Sequence, residues 1–288
     1  MQFHLDGFRA GDPHFLAESP ACHDVDRNQV DVLIVGCGPA GLTLAAQLCA
    51  FETLNVRIVE RKAGPLDMGQ ADGIACRTME MFEAFNFSER VLKESCWINE
   101  TTFWKPDETS PLNIVRGGRI QDTEDGLSEF PHVVLNQARV HDMYLDVMRQ
   151  SARRLEPDYS CSFVDLVVHE RGAYPVEVTL KHEDAAGNTR TEVVSARYVV
   201  GCDGARSQVR RAIGRTLEGD SANQAWGVMD VLAVTDFPDI RQKTLIQSDT
   251  GGTLLIIPRE GGYMARIYVE METLGEGERV RNRNITEQ

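Results

Sequence analysis

The chain has 288 residues, of which 42% are hydrophobic and 26% are charged, so its composition is that of an ordinary globular protein. Such a composition excludes disorder and a collagen-like structure for the chain as a whole. The 30 basic and 44 acidic side chains give a net charge of −14, which argues against general nucleic-acid binding. The sequence has no apolar run of the roughly 18 residues that a membrane-spanning helix needs, so no span is predicted.

The cysteines and histidines bear on compartment and metal content. There are seven cysteines, an odd number, and no Cys-x-x-Cys pair occurs. This pattern favours reduced thiols over a disulfide framework or a zinc site. The seven histidines are scattered along the chain, so no metal site is predicted. The first residues lack the basic and apolar regions of a secretory signal, and we expect a cytoplasmic protein.

The strongest pattern in the first part of the chain is that of a strand, a helix and a second strand. Residues 1–29 are polar and are interrupted by glycine and proline, and we interpret them as an extended arm. Residues 30–35 predict a buried parallel strand, residues 39–51 a helix with proline in its first turn, and residues 56–59 a second strand. These elements together form one βαβ unit.

The rest of the chain predicts two helices and then mostly strands. The helices are predicted at residues 77–85 and 137–155, where apolar side chains recur at helical spacing. Residues 105–130 are rich in Asp, Glu, Gly and Pro and predict a loop. The predicted strands are 163–168, 176–180, 193–200, 226–234, 244–247, 253–257 and 263–270. The last four follow one another with Asp and Gly turns between them, which indicates an antiparallel or mixed sheet.

A glycine-rich turn joins the first predicted strand to the first helix. Gly36, Gly38 and Gly41, together with Pro39 and Ala40, match the pattern G-x-G-x-x-G. The first glycine permits the tight turn, the second lets the backbone approach a pyrophosphate, and the third lets the helix pack on the strand. The N-terminus of the helix presents free N–H groups and a partial positive charge to a phosphate.

An acidic residue completes this pattern. Glu60 ends the second strand, 19 residues after Gly41, where a carboxylate accepts hydrogen bonds from a ribose hydroxyl. Strand, turn, helix, second strand and acid in this order predict a dinucleotide site. A turn retained only for packing would leave Glu60 unexplained. NAD and FAD both remain open, because an acid at this position serves the adenosine ribose of either cofactor.

A second motif lies about two-thirds along the chain. The strand predicted at 193–200 runs into Asp203-Gly204 and a short helix. Taken alone, this could be an ordinary turn with Asp203 as the helix N-cap. Together with the glycine-rich turn, it resembles the Asp-Gly motif of the flavin-dependent aromatic hydroxylases. In that family the aspartate contacts the ribityl and pyrophosphate region of the flavin, and the motif also helps to bind the nicotinamide cofactor.

Further segments resemble the phenol 2-monooxygenase branch of this family and, within it, enzymes that act on a hydroxybenzoate. These segments are 1–5, 69–80, 219–227, 257–262 and 266–270. The resemblance implies an α/β fold with a Rossmann-like FAD-binding domain at 30–215 and a mixed-sheet substrate domain at 216–288. Family members continue beyond this point with a second flavin-contacting Gly-Asp motif and a thioredoxin-like domain. We therefore expect a truncated aromatic hydroxylase fold with an incomplete substrate domain.

The resemblance also implies a reaction. FAD is the expected cofactor, and NADPH and O2 are the expected co-substrates. NADH stays open as an alternative to NADPH, because the family has no separate nicotinamide domain. Flavin reduced by NADPH reacts with O2, and one oxygen atom is transferred to an electron-rich carbon of a phenol ring. The expected conversion is 3-hydroxybenzoate to 3,4-dihydroxybenzoate, and a homodimer is expected because relatives dimerise.

Three other functions remain open. The first is a phenol hydroxylase of the same family without selectivity for a carboxylate. The second is a truncated, non-catalytic flavin-binding remnant. The third is an NAD-dependent dehydrogenase, which would leave Asp203 unexplained.

Substrate contacts follow from the resemblance residue by residue. Asp72 and Tyr268 match the acid and the tyrosine at the substrate hydroxyl, where a proton acceptor makes the ring electron-rich. We expect an apolar pocket around Asp72. Lys243 matches a lysine assigned to the substrate carboxylate, and Arg259 matches an arginine near the flavin. The simpler interpretations are a turn aspartate, a packed strand tyrosine, a solvated lysine and a hairpin-rim arginine paired with its neighbour.

Further cofactor contacts are implied for Arg61, Gln70, Gln137 and Asp203. For Gln137 the simpler interpretation is a polar residue at a helix start. Four arginines crowd the short helix predicted after Asp203, namely Arg206, Arg210, Arg211 and Arg215. They could attract the extra phosphate of NADPH or form a solvated helix face, and the sequence favours neither.

Overall fold

The computed structural model describes residues 2–4, 7–9, 16, 18–19, 26–69, 71–219 and 224–273. Within these residues there are sixteen strands and five helices. The strands are β1 Gln2–His4, β2 Gly7–Arg9, β3 Gln29–Val35, β4 Val56–Val59, β5 Gly73–Ile74, β6 Cys96–Ile98, β7 Glu100–Pro106, β8 Ile114–Gln121, β9 His132–Val134, β10 Cys161–Val168, β11 Val176–Glu183, β12 Thr189–Gly201, β13 Gln224–Leu232, β14 Lys243–Gln247, β15 Thr253–Pro258 and β16 Met264–Thr273. The helices are α1 Pro39–Leu48, α2 Cys76–Ala84, α3 Ser88–Glu94, α4 Gln137–Gln150 and α5 Gln208–Ala212.

The chain divides into two compact units, and the first comprises Met1–Gly69 and Gln137–Leu217. It contains a five-stranded sheet with the strand order β10-β11-β12-β3-β4. Strands β12, β3 and β4 run parallel, whereas β10, β11 and β12 pair antiparallel. One buried cluster contains apolar side chains from every strand of this sheet and from α5. Its members include Leu33, Val59, Cys161, Val178, Val194 and Val209. The predicted βαβ unit is therefore the parallel half of this sheet.

Helices α1 and α4 pack against each other in the first unit. The hydroxyl groups of Thr43 and Tyr144 form a hydrogen bond of 2.8 Å between them. The apolar face predicted for α4 is buried, as at Val140, Tyr144 and Met148. Both helices are shorter than predicted, because α1 ends at Leu48 rather than residue 51, and α4 ends at Gln150 rather than residue 155.

The second unit comprises Gln70–Asn136 and Glu218–Gln288. Its six-stranded sheet has the order β13-β16-β15-β14-β7-β8, and a three-stranded sheet has the order β5-β9-β6. The larger sheet is antiparallel except for the parallel pair of β7 and β14. The mixed sheet predicted for the second half of the chain is thus present, and it also includes two strands from the first half.

Three expectations from the sequence differ from the structure. Residues 105–130, predicted as a loop, contain β8, whose eight residues are all exposed and therefore show no burial pattern. The predicted boundaries place residues 70–136 in the first domain. In the structure these residues belong to the second unit, because β7 lies between β14 and β8 in the six-stranded sheet of that unit. Within the predicted arm, β1 and β2 pair antiparallel.

None of the helices in the described residues is long and apolar enough to cross a membrane.

Candidate cofactor site and candidate substrate cavity

In the first unit, the glycine-rich turn meets the Asp-Gly motif. Gly36 has a φ of +105°, a conformation that favours glycine. A Cβ atom on Gly36 would lie 2.5 Å from the carbonyl oxygen of Cys202 and 2.9 Å from the Cα of Asp203. A Cβ on Gly41 would overlap the carbonyl oxygen of Gly36. The two motifs therefore converge at the carboxyl ends of β3 and β12, and glycine is required there for backbone approach.

The N-terminus of α1 is open towards a ligand. Gly38 is its N-cap residue, no side chain caps the helix, and Pro39 stands at its start. A Cβ on Gly38 would have no protein atom within 4 Å. Pro39 and Ala40 are exposed. The first N–H groups of the helix and its partial positive charge are therefore available to an anion, which fits the diphosphate of a dinucleotide.

Glu60 lies beside this turn, directly after β4. Its Oε2 accepts the N–H of Cys37 at 2.8 Å, and its Oε1 accepts the N–H of Lys62 at 2.9 Å. A carboxylate has about four lone-pair positions, so these two bonds fix its orientation and leave acceptor capacity for ribose hydroxyls. Arg61, the next residue, is exposed, and Gln70 lies outside the described residues.

Asp203 is held by the helix that follows it. Its Oδ2 accepts the N–H of Gln208 at 2.6 Å, and its Oδ1 accepts the Ser207 hydroxyl at 2.5 Å. Burial alone would raise the pKa of Asp203, but these hydrogen bonds outweigh it and hold the pKa below the usual value. The N-cap residue of α5 is Ser207, not Asp203. The alternative of Asp203 as an N-cap is thus incorrect in detail, although Asp203 does bind the start of the helix.

The remaining predicted cofactor residues also lie in the first unit. Gln137 is the first residue of α4. Of the four clustered arginines, Arg206, Arg211 and Arg215 are exposed. The Arg210 guanidinium donates to the carbonyl of Ala205 at 2.5 Å.

In the second unit, a cavity of about 240 Å³ gathers the predicted substrate residues. Its walls are formed by Asp72, Gly73, Ile98, His132, Val134, Lys243, Ile257, Arg259, Arg266 and Tyr268. The four residues predicted from the resemblance are thus brought together from distant parts of the chain. Arg266 and His132 also line the cavity and were not singled out from the sequence. Arg266 lies two residues before Tyr268 on β16, so period-two alternation could have indicated it.

Asp72 lies between two arginines. Its carboxylate pairs with the guanidinium groups of Arg259 and Arg266, and its side chain is 4% exposed. Arg259 also forms two hydrogen bonds of 2.9 Å with Glu260, and Arg266 forms two of 2.8 Å with Asp230. The expected apolar surrounding of Asp72 is therefore incorrect, because the guanidinium groups of the buried Arg259 and the partly buried Arg266 face the carboxylate.

The partners of Arg259 and Arg266 also shift the pKa values of these two arginines. The hydrogen bond to Asp230 raises the pKa of Arg266, and a further one to Tyr268 acts in the same direction against burial. Burial lowers the pKa of Arg259, but the bond to Glu260 and the charge of Asp72 outweigh this and raise it. Both guanidinium groups therefore stay charged beside Asp72.

Lys243 occupies another part of the cavity wall and is paired with an acid. Its Nζ lies 2.7 Å from Oδ1 of Asp122, and Oδ2 of Asp122 pairs with Nδ1 of His132. The interpretation of Lys243 as a solvated lysine is thus incorrect, since its side chain is 27% exposed and ion-paired. Asp122 lies in the stretch predicted as a loop, which explains why the sequence did not indicate it.

No group of three or more His, Cys, Asp or Glu side chains in the described part of the chain could hold a metal ion.

Comparison with known proteins gives the family. The model of the FAD binding domain family matches residues 29–288. The chain is 65% identical over 290 residues to 3-hydroxybenzoate 4-monooxygenase of Comamonas testosteroni, covering 99% of this chain and 45% of that protein. It is 32% identical to the phenol 2-monooxygenase fsqG of Aspergillus fumigatus, covering 85% of this chain and 39% of the relative. The chain thus spans less than half the length of these curated relatives.

Solved structures show the same fold. The flavin-dependent monooxygenase PieE, in complex with FAD and substrate, aligns with a TM-score of 0.70 at 20% identity, over 88% of this chain and 45% of that one. The p-nitrophenol 4-monooxygenase PnpA from Pseudomonas putida DLL-E4 aligns with a TM-score of 0.68 at 18% identity, over 88% and 61% of the two chains. The expected α/β fold of the flavin-dependent aromatic hydroxylases and the expected cofactor, FAD, are confirmed. The chain belongs to the FAD binding domain family.

Proposed function

We propose that this chain is the cofactor- and substrate-binding part of a monooxygenase that converts 3-hydroxybenzoate to 3,4-dihydroxybenzoate with FAD, NADPH and O2. The 65% identity to a 3-hydroxybenzoate 4-monooxygenase supports this proposal. The observation that carries it is the cavity of the second unit, because Asp72, Tyr268 and Lys243 all line it. A phenol that carries a carboxylate needs a proton acceptor at its hydroxyl, as Asp72 would supply, and a cation at its carboxylate, as Lys243 would supply.

The first unit fits the cofactor. The backbone at Gly36 and Gly38 and the N-terminus of α1 would hold the diphosphate, and Glu60 would accept the ribose hydroxyls. Arg61, Gln70, Gln137 and Asp203 are proposed as further contacts. When bound, the flavin supplies the activated oxygen, and the protein residues bind and orient the substrate.

The cavity fits a single-ring substrate. Its volume of about 240 Å³ is below the roughly 300–1,000 Å³ of sites for drug-sized ligands. We propose that Asp72 accepts the hydrogen bond, and then the proton, of the phenol hydroxyl, which makes the ring electron-rich. Arg259 and Arg266 hold this carboxylate in place through their ion pairs. Tyr268 is proposed to hydrogen-bond the same hydroxyl.

A phenol hydroxylase without carboxylate selectivity is the second candidate. One observation favours it, namely that the charge of Lys243 is already offset by Asp122 at 2.7 Å. A substrate carboxylate must therefore share the ammonium group with Asp122. The two candidates differ in which compound, 3-hydroxybenzoate or phenol, is hydroxylated more efficiently.

The test is a product assay with the full chain. The purified protein is first scanned for a flavin absorption spectrum, before and after addition of FAD. NADPH consumption is then compared with 3,4-dihydroxybenzoate formed, separated by chromatography, with phenol as the parallel substrate. Stoichiometric product from 3-hydroxybenzoate supports the proposal, whereas a protein that forms no hydroxylated product, with or without uptake of FAD, supports the non-catalytic remnant.

Compartment and assembly are also proposed. A cytoplasmic setting is supported by the free thiols of the six described cysteines. A homodimer stays a prediction, and sedimentation of the purified chain would test it.

A further inference from the structure

Asp122 is not among the lining residues of the candidate substrate cavity, but it contacts two of them, Lys243 and His132. It follows β8 directly, and its side chain is 12% exposed. Oδ1 accepts from Nζ of Lys243 at 2.7 Å and from the Thr101 hydroxyl at 3.0 Å. Oδ2 pairs with Nδ1 of His132. The backbone N–H of Asp122 donates to the carbonyl of Asn99 at 2.9 Å, which fixes the residue at its own position.

The two partners of Asp122 come from different strands. Lys243 begins β14 and His132 begins β9, and both line the cavity, whereas Asp122 does not. A carboxylate that holds Nδ1 of a histidine sets the orientation of the ring and directs Nε2 to the other side. Nε2 of His132 lies beside another lining residue, because a Cβ on Gly73 would be 3.3 Å from it.

Asp122 is an anion in this setting. Burial alone would raise its pKa, but the hydrogen bonds from Lys243 and His132 outweigh burial and hold the pKa below the usual value. Its charge faces Lys243 and His132, while Asp72, Arg259, Arg266 and Tyr268 form the other polar part of the cavity. The lining of the cavity therefore contains two polar groups of residues: one includes the paired Asp72, and the other consists of the Lys243 ammonium group and the His132 ring, both held by Asp122.

We propose that Asp122 is a positioning residue that determines the substrate class: it fixes the ammonium group of Lys243, with the His132 ring beside it, as the donor for an anionic group on the aromatic ring. This inference rests on the proposed function and goes beyond it, because Lys243 alone was expected to select the carboxylate. A flexible lysine held at one point is a poor recognition element, since ordering its side chain costs conformational entropy on binding. Held by Asp122, Lys243 and His132 are ordered before the substrate arrives.

The experiment compares Asp122→Asn with wild type on two probes, 3-hydroxybenzoate and its neutral analogue 3-hydroxybenzamide. Binding is followed by the change in flavin absorption of the FAD-loaded full chain, and KM and kcat are measured separately. We expect the Kd and KM for 3-hydroxybenzoate to rise about tenfold or more in the variant, as for loss of a charge-assisted hydrogen bond. The values for the amide should change less than about twofold, and kcat at saturation should be retained. Asp125→Asn, an exposed neighbour, is the matched control and should match wild type on both probes.

Two results would overturn the inference. Equal loss for both probes would show a structural role, and tighter binding of 3-hydroxybenzoate would show that Asp122 merely competes for Lys243. If Asp122→Asn does not fold, Thr101→Val decides. This variant removes the hydrogen bond from the Thr101 hydroxyl that helps to fix Asp122, and the inference requires it to weaken binding of the benzoate selectively. Failure of the proposed function is distinguishable, since wild type would then hydroxylate neither probe.

Discussion

Asp72 and Arg259 form a buried ion pair although they are 187 positions apart in the chain, and their side chains are 4% and 2% exposed. Each residue keeps a charged partner if the other is removed, because Arg259 also binds Glu260 and Asp72 also binds Arg266. Removing one member of a buried pair is costly when it leaves an uncompensated charge, so this redundancy makes single substitutions at the site informative. The ion pair fixes the Asp72 carboxylate in the cavity, and in the sequence only the resemblance to the family indicated Asp72 as a substrate contact.

Asp72→Asn should uncouple oxygen consumption from product formation. The amide keeps the shape of the carboxylate but cannot take a proton, so the rate of hydroxylation should fall about 100-fold or more. Arg259 and Arg266 retain Glu260 and Asp230, so the free energy of unfolding should fall by only about 1–3 kcal/mol. The measurements are 3,4-dihydroxybenzoate formed per NADPH consumed and urea unfolding. Asp249→Asn, an exposed acid, is the control, and full coupling in Asp72→Asn would exclude Asp72 as the proton acceptor.

Lys243→Met should separate the two substrate candidates. Loss of the ammonium group should weaken binding of 3-hydroxybenzoate about tenfold or more and that of phenol little, because only the benzoate carries an anion. Titration of the FAD-loaded protein with each compound measures this, with the exposed Lys181→Met as the control. A similar loss for both compounds would show that Lys243 supports the cavity rather than reading the carboxylate.

Gly36→Ala should impair cofactor binding. The φ of +105° is strained for alanine, and its Cβ would lie 2.5 Å from the carbonyl oxygen of Cys202, so the turn must move away from the Asp-Gly motif. We expect the Kd for FAD to rise about tenfold or more and the free energy of unfolding to fall by about 1–3 kcal/mol. Quenching of flavin fluorescence gives the Kd. Gly64→Ala is the matched control because a Cβ there has no neighbour within 4 Å, and equal FAD affinity in both variants would contradict the assigned site.

Acid should destabilise the first unit partly through Glu192. Its hydrogen bond with Arg57 at 2.9 Å is the main cause that lowers the pKa of Glu192 to about 2. A carboxylate with a lowered pKa stabilises the folded state above its unfolded value, near 4.3, and this stabilisation is lost as the pH falls towards 2. The difference in unfolding free energy between wild type and Glu192→Gln should thus be largest at neutral pH, up to about 3 kcal/mol, and should shrink below pH 4.

Urea unfolding at pH 6 and pH 3 measures this difference for Glu192→Gln. The exposed Glu177→Gln is the control and should show a small difference at both pH values. A difference for Glu192→Gln that stays constant between the two pH values would mean that the ion pair with Arg57 does not carry the effect.

Local patterns predicted the elements that depend on neighbouring residues. Strands β3 and β4, helix α1 and the glycine-rich turn between them follow from apolar runs and a fixed spacing, and they are present. The exposed edge strand β8 has no burial pattern, so its composition indicated a loop. Its position depends on pairing with β7, which no local pattern reveals.

The candidate substrate cavity was predicted only in part. Asp72, Lys243, Arg259 and Tyr268 were indicated by resemblance, and the structure brings them together. Arg266, His132 and Asp122 were not indicated by the resemblance. The ion pairs of Arg266 with Asp72 and of Asp122 with Lys243 join distant parts of the chain, and Asp122 and His132 flank a stretch without a burial pattern.

The parallel pairing of β7 with β14 limits how this protein can be divided. A fragment that starts at residue 216 would contain β13 to β16 but would lack β7 and β8, so β14 would become an open edge. The Thr244 hydroxyl would lose its hydrogen bond of 2.7 Å to Thr102, and a row of unpaired backbone groups would face water or another chain. Expression of residues 216–288 alone should therefore yield aggregates. A stable fragment of the second unit must include residues 70–136 as well as the later strands.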